Sequence, residues 1–85
     1  MAKTIRSSGH LALRDALTEA RLAAGLTQAD LAARLHAHQS LVARIESGER
    51  RIDVVELVVL ARALGADAAA LLASVERATA AEHRM

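Results

Sequence analysis

The sequence predicts an all-α protein, a bundle of five short helices around one core. Three observations carry this. The chain has no Pro and only four Gly, and 53% of its 85 residues are hydrophobic, Ala and Leu foremost, a composition that favours helices. Apolar residues recur at three- and four-residue spacing from Leu11 onward, the period of an amphipathic helix. Cap-forming residues and glycines interrupt that pattern at short intervals.

The elements follow in order. Residues 1–10, MAKTIRSSGH, show little periodicity and read as a mobile arm. Helix one starts at Leu11, carries Leu13, Leu17, Ala20 and Ala24, and ends at Gly25. Thr27 is an N-cap, and Asp30 stands three residues on, in the spacing of a capping box. Helix two runs from about Gln28 to Leu35, with Leu31, Ala32 and Leu35 inward. His36-Ala37-His38 is a short connection without glycine. Helix three runs from Gln39 to about Ser47, with Val42 and Ile45 inward, and Gly48 stops it. Asp53 caps helix four, Val54 to Leu64, which ends at Gly65. Asp67 caps helix five, with Leu71, Leu72 and Val75. The domain then spans 11–75, and 76–85 is a tail, a helical extension or disordered.

Composition excludes several functions. With no Cys there is no disulfide, thiolate zinc site or cysteine nucleophile. With no Phe, Tyr or Trp there is no aromatic cage and no stacking platform for single strands. The formal net charge is only +1, so charge placement matters more than the sum. Lys3, Arg6 and Arg14 precede every acid, and Arg44, Arg50 and Arg51 form a second basic group. No run of about 18 residues is free of charge, so no membrane span is expected, and no signal-peptide core opens the chain; the expected setting is cytoplasmic. His36 and His38 lack the cysteine or carboxylate company of a closed metal site, so neither metal nor cofactor is expected. No paired carboxylates and no nucleophile beside a base point to catalysis, so the chain is not expected to be an enzyme.

The central signal is a pair of short helices joined by three residues. Small Ala32 lets the two backbones approach, and Leu31, Leu35, Val42 and Ile45 seal the angle. Helix three then keeps an outer face of Gln39, Ser40, Ala43 and Arg44. Gln bonds adenine bidentately, Arg bonds guanine, and a methyl meets thymine.

Residues 27–53, TQADLAARLHAHQSLVARIESGERRID, resemble the XRE-type helix-turn-helix, the lambda-repressor and Cro-like DNA-binding domain family. The resemblance extends over about residues 11–72 through Gly25-Leu26-Thr27-Gln28, Ala32, Gln39-Ser40, Ile45-Glu46-Ser47-Gly48-Glu49-Arg50 and Leu60-Ala61-Arg62-Ala63-Leu64-Gly65. It implies a five-helix lambda-repressor-like bundle that binds double-stranded DNA. By position it gives Gln28 a phosphate contact. It turns Gln39, Ser40, Ala43 and Arg44 toward base edges. Ser47, the amides near Gly48, Arg50 and Arg51 would hold the flanking backbone. Arg21 and Glu46 match a structural pair that ties helix one to helix three. The sequence departs from the family at His36, where glycine is usual and the residue must accept a left-handed conformation or shift the turn, and at His38, where Ser or Thr is common. His38 therefore caps the recognition helix weakly or reaches DNA itself.

Helix four is apolar nearly all round. Val54, Leu57, Leu60, Ala61 and Leu64 share one stripe, with Val55, Val58 and Val59 mostly off it. That points to a partner surface of Val55, Val58, Val59, Leu72 and Val75, and to a homodimer with two recognition helices about 34 Å apart. The expected function is a small sequence-specific regulator, a repressor on a two-fold symmetric operator. One alternative is the antitoxin of a toxin–antitoxin pair, with a toxin holding the valine surface or the tail. Another is a protein-interaction adaptor of the same fold that does not bind DNA.

Overall fold

A computed structural model describes residues 7–85. Five helices follow in order: α1 (Ser8–Ala23), α2 (Gln28–Leu35), α3 (Gln39–Glu46), α4 (Val54–Leu64) and α5 (Ala68–Ala78). Lys3 and Arg6 of the expected arm lie outside the described residues.

The caps explain most boundaries. Thr27 Oγ1 accepts from the Asp30 amide at 3.0 Å, and Asp30 Oδ2 accepts from the Thr27 amide at 2.9 Å. The same reciprocal box forms at α4, between Asp53 and Glu56. Asp67 accepts from the Ala69 amide at 3.0 Å and starts α5. Each box satisfies donors that the first helical turn leaves without partners. The Thr27 bonds hold the Asp30 carboxyl below its ordinary range. His36 closes α2 in the left-handed region, at φ 55° and ψ 44°, the conformation that the missing glycine demanded of it.

The core draws on all five helices: Leu13 and Leu17, Leu31 and Ala32, Val42 and Ile45, Leu57, Leu60, Ala61 and Leu64, and Leu71. Leu17 is 2% exposed and Val42 1%; burying each contributes roughly 2 kcal/mol. Helix α1 lies chiefly along α5, α2 packs on α3, and α4 lies against α2. The first helices of the motif are thereby fixed from behind, and α3 keeps one face outward.

Two expectations are corrected. Helix α1 starts at Ser8 rather than Leu11. Ser7 caps it by accepting from the His10 amide at 3.2 Å. Gly9 is buried so closely against α5 that a Cβ there would overlap Thr79 Oγ1 and press on Val75. Packing against α5 thus extends a helix over residues that disfavour it. Val54 has the angular position of the inward stripe but is 77% exposed. It is the first residue of α4, and the core does not reach that turn. Val75, expected on the partner surface, is half-buried and packs on the core of its own chain. Helix α5 runs to Ala78, so residues 76–78 take the helical alternative given for the tail, and a turn follows.

Candidate nucleic-acid interface

The site is built on α3. Val42 and Ile45 anchor it in the core, which turns Gln39, Ser40 and Arg44 out as exposed side chains, with Ala43 half-buried on the same side. Among the described residues the Arg44 guanidinium makes no ion pair or hydrogen bond, whereas Arg21 and Arg50 are both paired. His38 stands at the N-cap of α3, exposed, with an extended backbone and no side-chain cap bond.

Arg21 and Glu46 form the pair that the sequence indicated. Arg21 Nε donates to Glu46 Oε2 at 2.6 Å and Nη2 to Oε1 at 3.0 Å. The third nitrogen, Nη1, donates to the Leu26 carbonyl at 2.8 Å. Both side chains are about nine-tenths buried, at 11% and 9% exposure. The bond to Glu46 raises the Arg21 pKa further, so the guanidinium stays charged. One residue therefore ties α1, the loop before α2, and the end of α3 together. A planar guanidinium fork is what this geometry needs; a lysine ammonium could not reach all three acceptors.

Gln28 is half-buried at the start of α2, and its side chain is engaged at both ends. Its Nε2 donates to Glu46 Oε1 at 2.9 Å, and its Oε1 accepts from Gln39 Nε2 at 2.6 Å. The link to Gln39 was not legible in sequence: the residues stand eleven apart, and nothing in their spacing signals a contact.

The loop after α3 is closed by its own backbone. Ser47 donates to Ala43 O at 2.9 Å, Gly48 to Ile45 O at 3.1 Å, and Glu49 to Arg44 O at 3.0 Å. The Ser47 hydroxyl also donates to Arg44 O, at 3.0 Å. Gly48 has φ +84°, and a Cβ would press on Leu11 at 3.3 Å, so both conformation and space require glycine there. Arg50 forks onto Glu56, with Nη1 donating to Oε1 at 3.1 Å and Nη2 to Oε2 at 2.8 Å. That bond, and the Asp53 amide, hold the Glu56 carboxyl below its ordinary range. Arg50 thus shapes the loop and the start of α4; Arg51 beside it is exposed. The signal for Glu56 was present, since Asp53 and Glu56 have capping-box spacing.

Arg34 was also missed. It crosses from α2 to donate to the Ala63 carbonyl of α4 at 2.8 Å. His36 and His38 serve the turn, and among the described residues no group of three or more His, Cys, Asp or Glu is placed to hold a metal ion. No helix among the described residues is long and apolar enough to cross a membrane. On the far flank, Leu35, Ala37, Leu41, Val55 and Val59 line an apolar groove of about 160 Å³. Val55 is 71% exposed, Val59 46% and Leu72 56%, while Val58 is half-buried.

The family described as Helix-turn-helix matches residues 17–71. An XRE-family like protein from Pseudomonas syringae pv. tomato str. DC3000 is 48% identical, covers 91% of this chain and 94% of its own, and superposes with a TM-score of 0.78. The clp gene regulator ClgR from C. glutamicum is 26% identical, covers 85% of this chain and 92% of its own, and superposes with a TM-score of 0.75. A search of curated proteins gave no significant match.

Proposed function

The chain belongs to the XRE family of helix-turn-helix proteins, a DNA-binding family of transcription regulators, and from that premise we propose that it is a repressor acting in the cytoplasm as a homodimer on a two-fold symmetric operator. The observation that carries the reading is the outer face of α3, where Gln39, Ser40 and Arg44 stand exposed while the opposite face is locked in the core. Gln39 and Arg44 are base-reading residues, Ala43 offers a methyl, and Ser40 bonds either partner of a pair. Arg51, the Ser47 hydroxyl turned off the Arg44 carbonyl to donate, His38, and the backbone amide of Gln28 contact phosphates. Arg50 supports them by holding the loop. The regulator is non-enzymatic: occupancy of DNA is its output.

Exposed Val55, Val59 and Leu72 support the homodimer, which would cover them. The same valines support a second reading, an antitoxin whose toxin covers that surface. Sedimentation of the purified chain alone separates the two, since only the first makes it a dimer without a partner.

The test of base reading compares two arginines. Arg44→Ala should relax preference at one base pair, at a cost of about 1–3 kcal/mol, and Arg51→Ala should weaken all duplexes alike and reduce the salt slope by about one. Identical behaviour of the two variants across sequences and salt would overturn the division between reading and anchoring residues.

A further inference from the structure

An open groove runs between α1 and α3. Arg14, Asp15 and Glu19 line it from α1, Ala43 and Ser47 line it from α3, and Gln28 of α2 also borders it. Most of the charges in this groove are paired. Arg14 Nε donates to Asp15 Oδ1 at 3.0 Å, and Glu46, in the same lining, accepts from Arg21 and Gln28. Glu19 is exposed, and among the described residues its carboxylate makes no ion pair or hydrogen bond. The groove therefore keeps one uncompensated negative charge.

The fold does not explain that charge. Ser7 caps α1, so Glu19 serves no cap. It stands four residues after Asp15 on the same helix, a spacing at which like charges repel. Resting on the reading that Ser47 and Gln28 contact phosphates, we propose that Glu19 sets the affinity of the domain for DNA: across this groove its carboxylate opposes the DNA backbone and weakens binding to every duplex, cognate or not.

A carboxylate only accepts hydrogen bonds, and phosphate oxygens offer it no donor, so repulsion between the two is not offset by a bond. Phosphates carry no sequence information. The repulsion therefore acts on cognate and non-cognate duplexes alike and leaves the choice between them to α3. Non-specific binding is almost wholly electrostatic, so one opposing charge on the docking face shortens the time spent on non-cognate DNA. A carboxylate on this face has one other role open to it, accepting from the amino group of cytosine. The two roles have opposite signatures: removing an opposing charge tightens binding, and removing a base contact weakens it at one pair.

Full-length Glu19→Gln, Glu19→Lys and Glu76→Gln are compared with the wild type by fluorescence anisotropy. The probes are the duplex that the wild type selects best from a randomised library and a shuffled duplex of the same composition. Glu76 is exposed on α5 and does not line the groove, so its variant makes the same change in net charge elsewhere on the molecule. Thermal melts check folding, and Glu19→Gln should melt no lower than the wild type, since it relieves the repulsion from Asp15.

At about 50 mM salt Glu19→Gln should bind both duplexes tighter by the same factor, about threefold to tenfold. Glu19→Lys should raise that gain to about its square, and both gains should shrink toward about 300 mM salt. Glu76→Gln should change either affinity by less than about twofold. No gain in Glu19→Gln, or a gain equal to that of Glu76→Gln, would overturn the inference, since Glu19 would then act through net charge alone or not at all. Weaker binding with lost preference at one base pair would make Glu19 a base reader and overturn it as well. If the wild type binds neither duplex at the lowest salt, the DNA-binding reading fails and the inference with it.

Discussion

Helices α2 and α3 are equally long, eight residues each, and are stabilised in different ways. Helix α2 begins in a closed capping box and ends on a left-handed residue that turns the chain sharply. Arg34 ties its far end to α4, and Gln28 ties its start to Glu46. Helix α3 begins on His38 with no side-chain cap bond. It is held from behind, by Val42 and Ile45 in the core and by Glu46 on Arg21. A helix of eight residues is too short to persist in water on its own, so each needs outside support. Helix α2 draws it from both ends and its buried face. Helix α3 draws it from its buried face and C-terminal turn, which leaves the N-terminal outer face to a partner. The comparison teaches that capping strength and exposure to DNA are divided between the two helices.

The largest expected break in this scheme comes from Arg21→Ala. It leaves Glu46, with its side chain 9% exposed, without a counter-charge, and α3 loses its tie to α1. Urea unfolding should show a loss of about 3 kcal/mol. A loss no larger than that of an exposed pair would mean that α3 is held by its apolar face alone.

Caps sharpen the contrast. Thr27→Ala opens the box at α2 and should cost about 1 kcal/mol, whereas His38→Ser supplies a missing cap at α3 and should add about 1 kcal/mol. Opposite signs in paired thermal melts are the expected outcome. A loss from both would show that His38 already supports α3 in a way that its cap geometry does not reveal.

His36→Gly gives a smaller effect. Its left-handed backbone costs a side-chain-bearing residue about 1 kcal/mol, which is partly offset by the greater freedom of glycine in the unfolded chain. The melting temperature should rise slightly or hold; a clear fall would mean that the imidazole contributes contacts to the turn.

The pH response is the most gradual. Asp30 and Glu56 are both held below their ordinary values of 3.8 and 4.5, by the Thr27 bonds and by Arg50 respectively. A carboxyl depressed in the fold stabilises it above the unfolded value and loses that contribution as pH falls through the folded value. The melting temperature should therefore be flat between about pH 7 and 5 and decline below about 4.5. Glu56→Gln should make the decline shallower. An equal decline in Glu56→Gln would remove the Arg50 fork from the scheme.

Much of this was legible in the sequence because it is local. Thr27 with Asp30, Asp53, Asp67, and the glycines at 25, 48 and 65 mark boundaries through the backbone groups next to them. The outer face of α3 follows from helical spacing once Val42 and Ile45 are placed inward, and Arg21 with Glu46 from resemblance to the family. What was not legible is tertiary. The start of α1 is set by Ser7 and by a close approach of Gly9 to α5, against the local preference of a Ser-Ser-Gly run. Arg50 carries the same charge as a phosphate anchor, and only the fold shows that Glu56 holds it. Val54 and Val75 have the periodicity of a core stripe and a partner stripe. Val54 is exposed because it lies beyond the core, and Val75 is half-buried because it lies along α1. The Gln28–Gln39 contact joins two helices across the turn, which no spacing rule encodes.

The measurement that reaches the central claim most directly is fluorescence anisotropy of the full chain with the duplex upstream of its own gene, against a shuffled duplex of equal composition, between about 50 and 300 mM salt. The expected result is binding of the upstream duplex at least about 100-fold tighter, with affinity falling steeply as salt rises. Equal affinity for both duplexes, or no binding to either at the lowest salt, would contradict it.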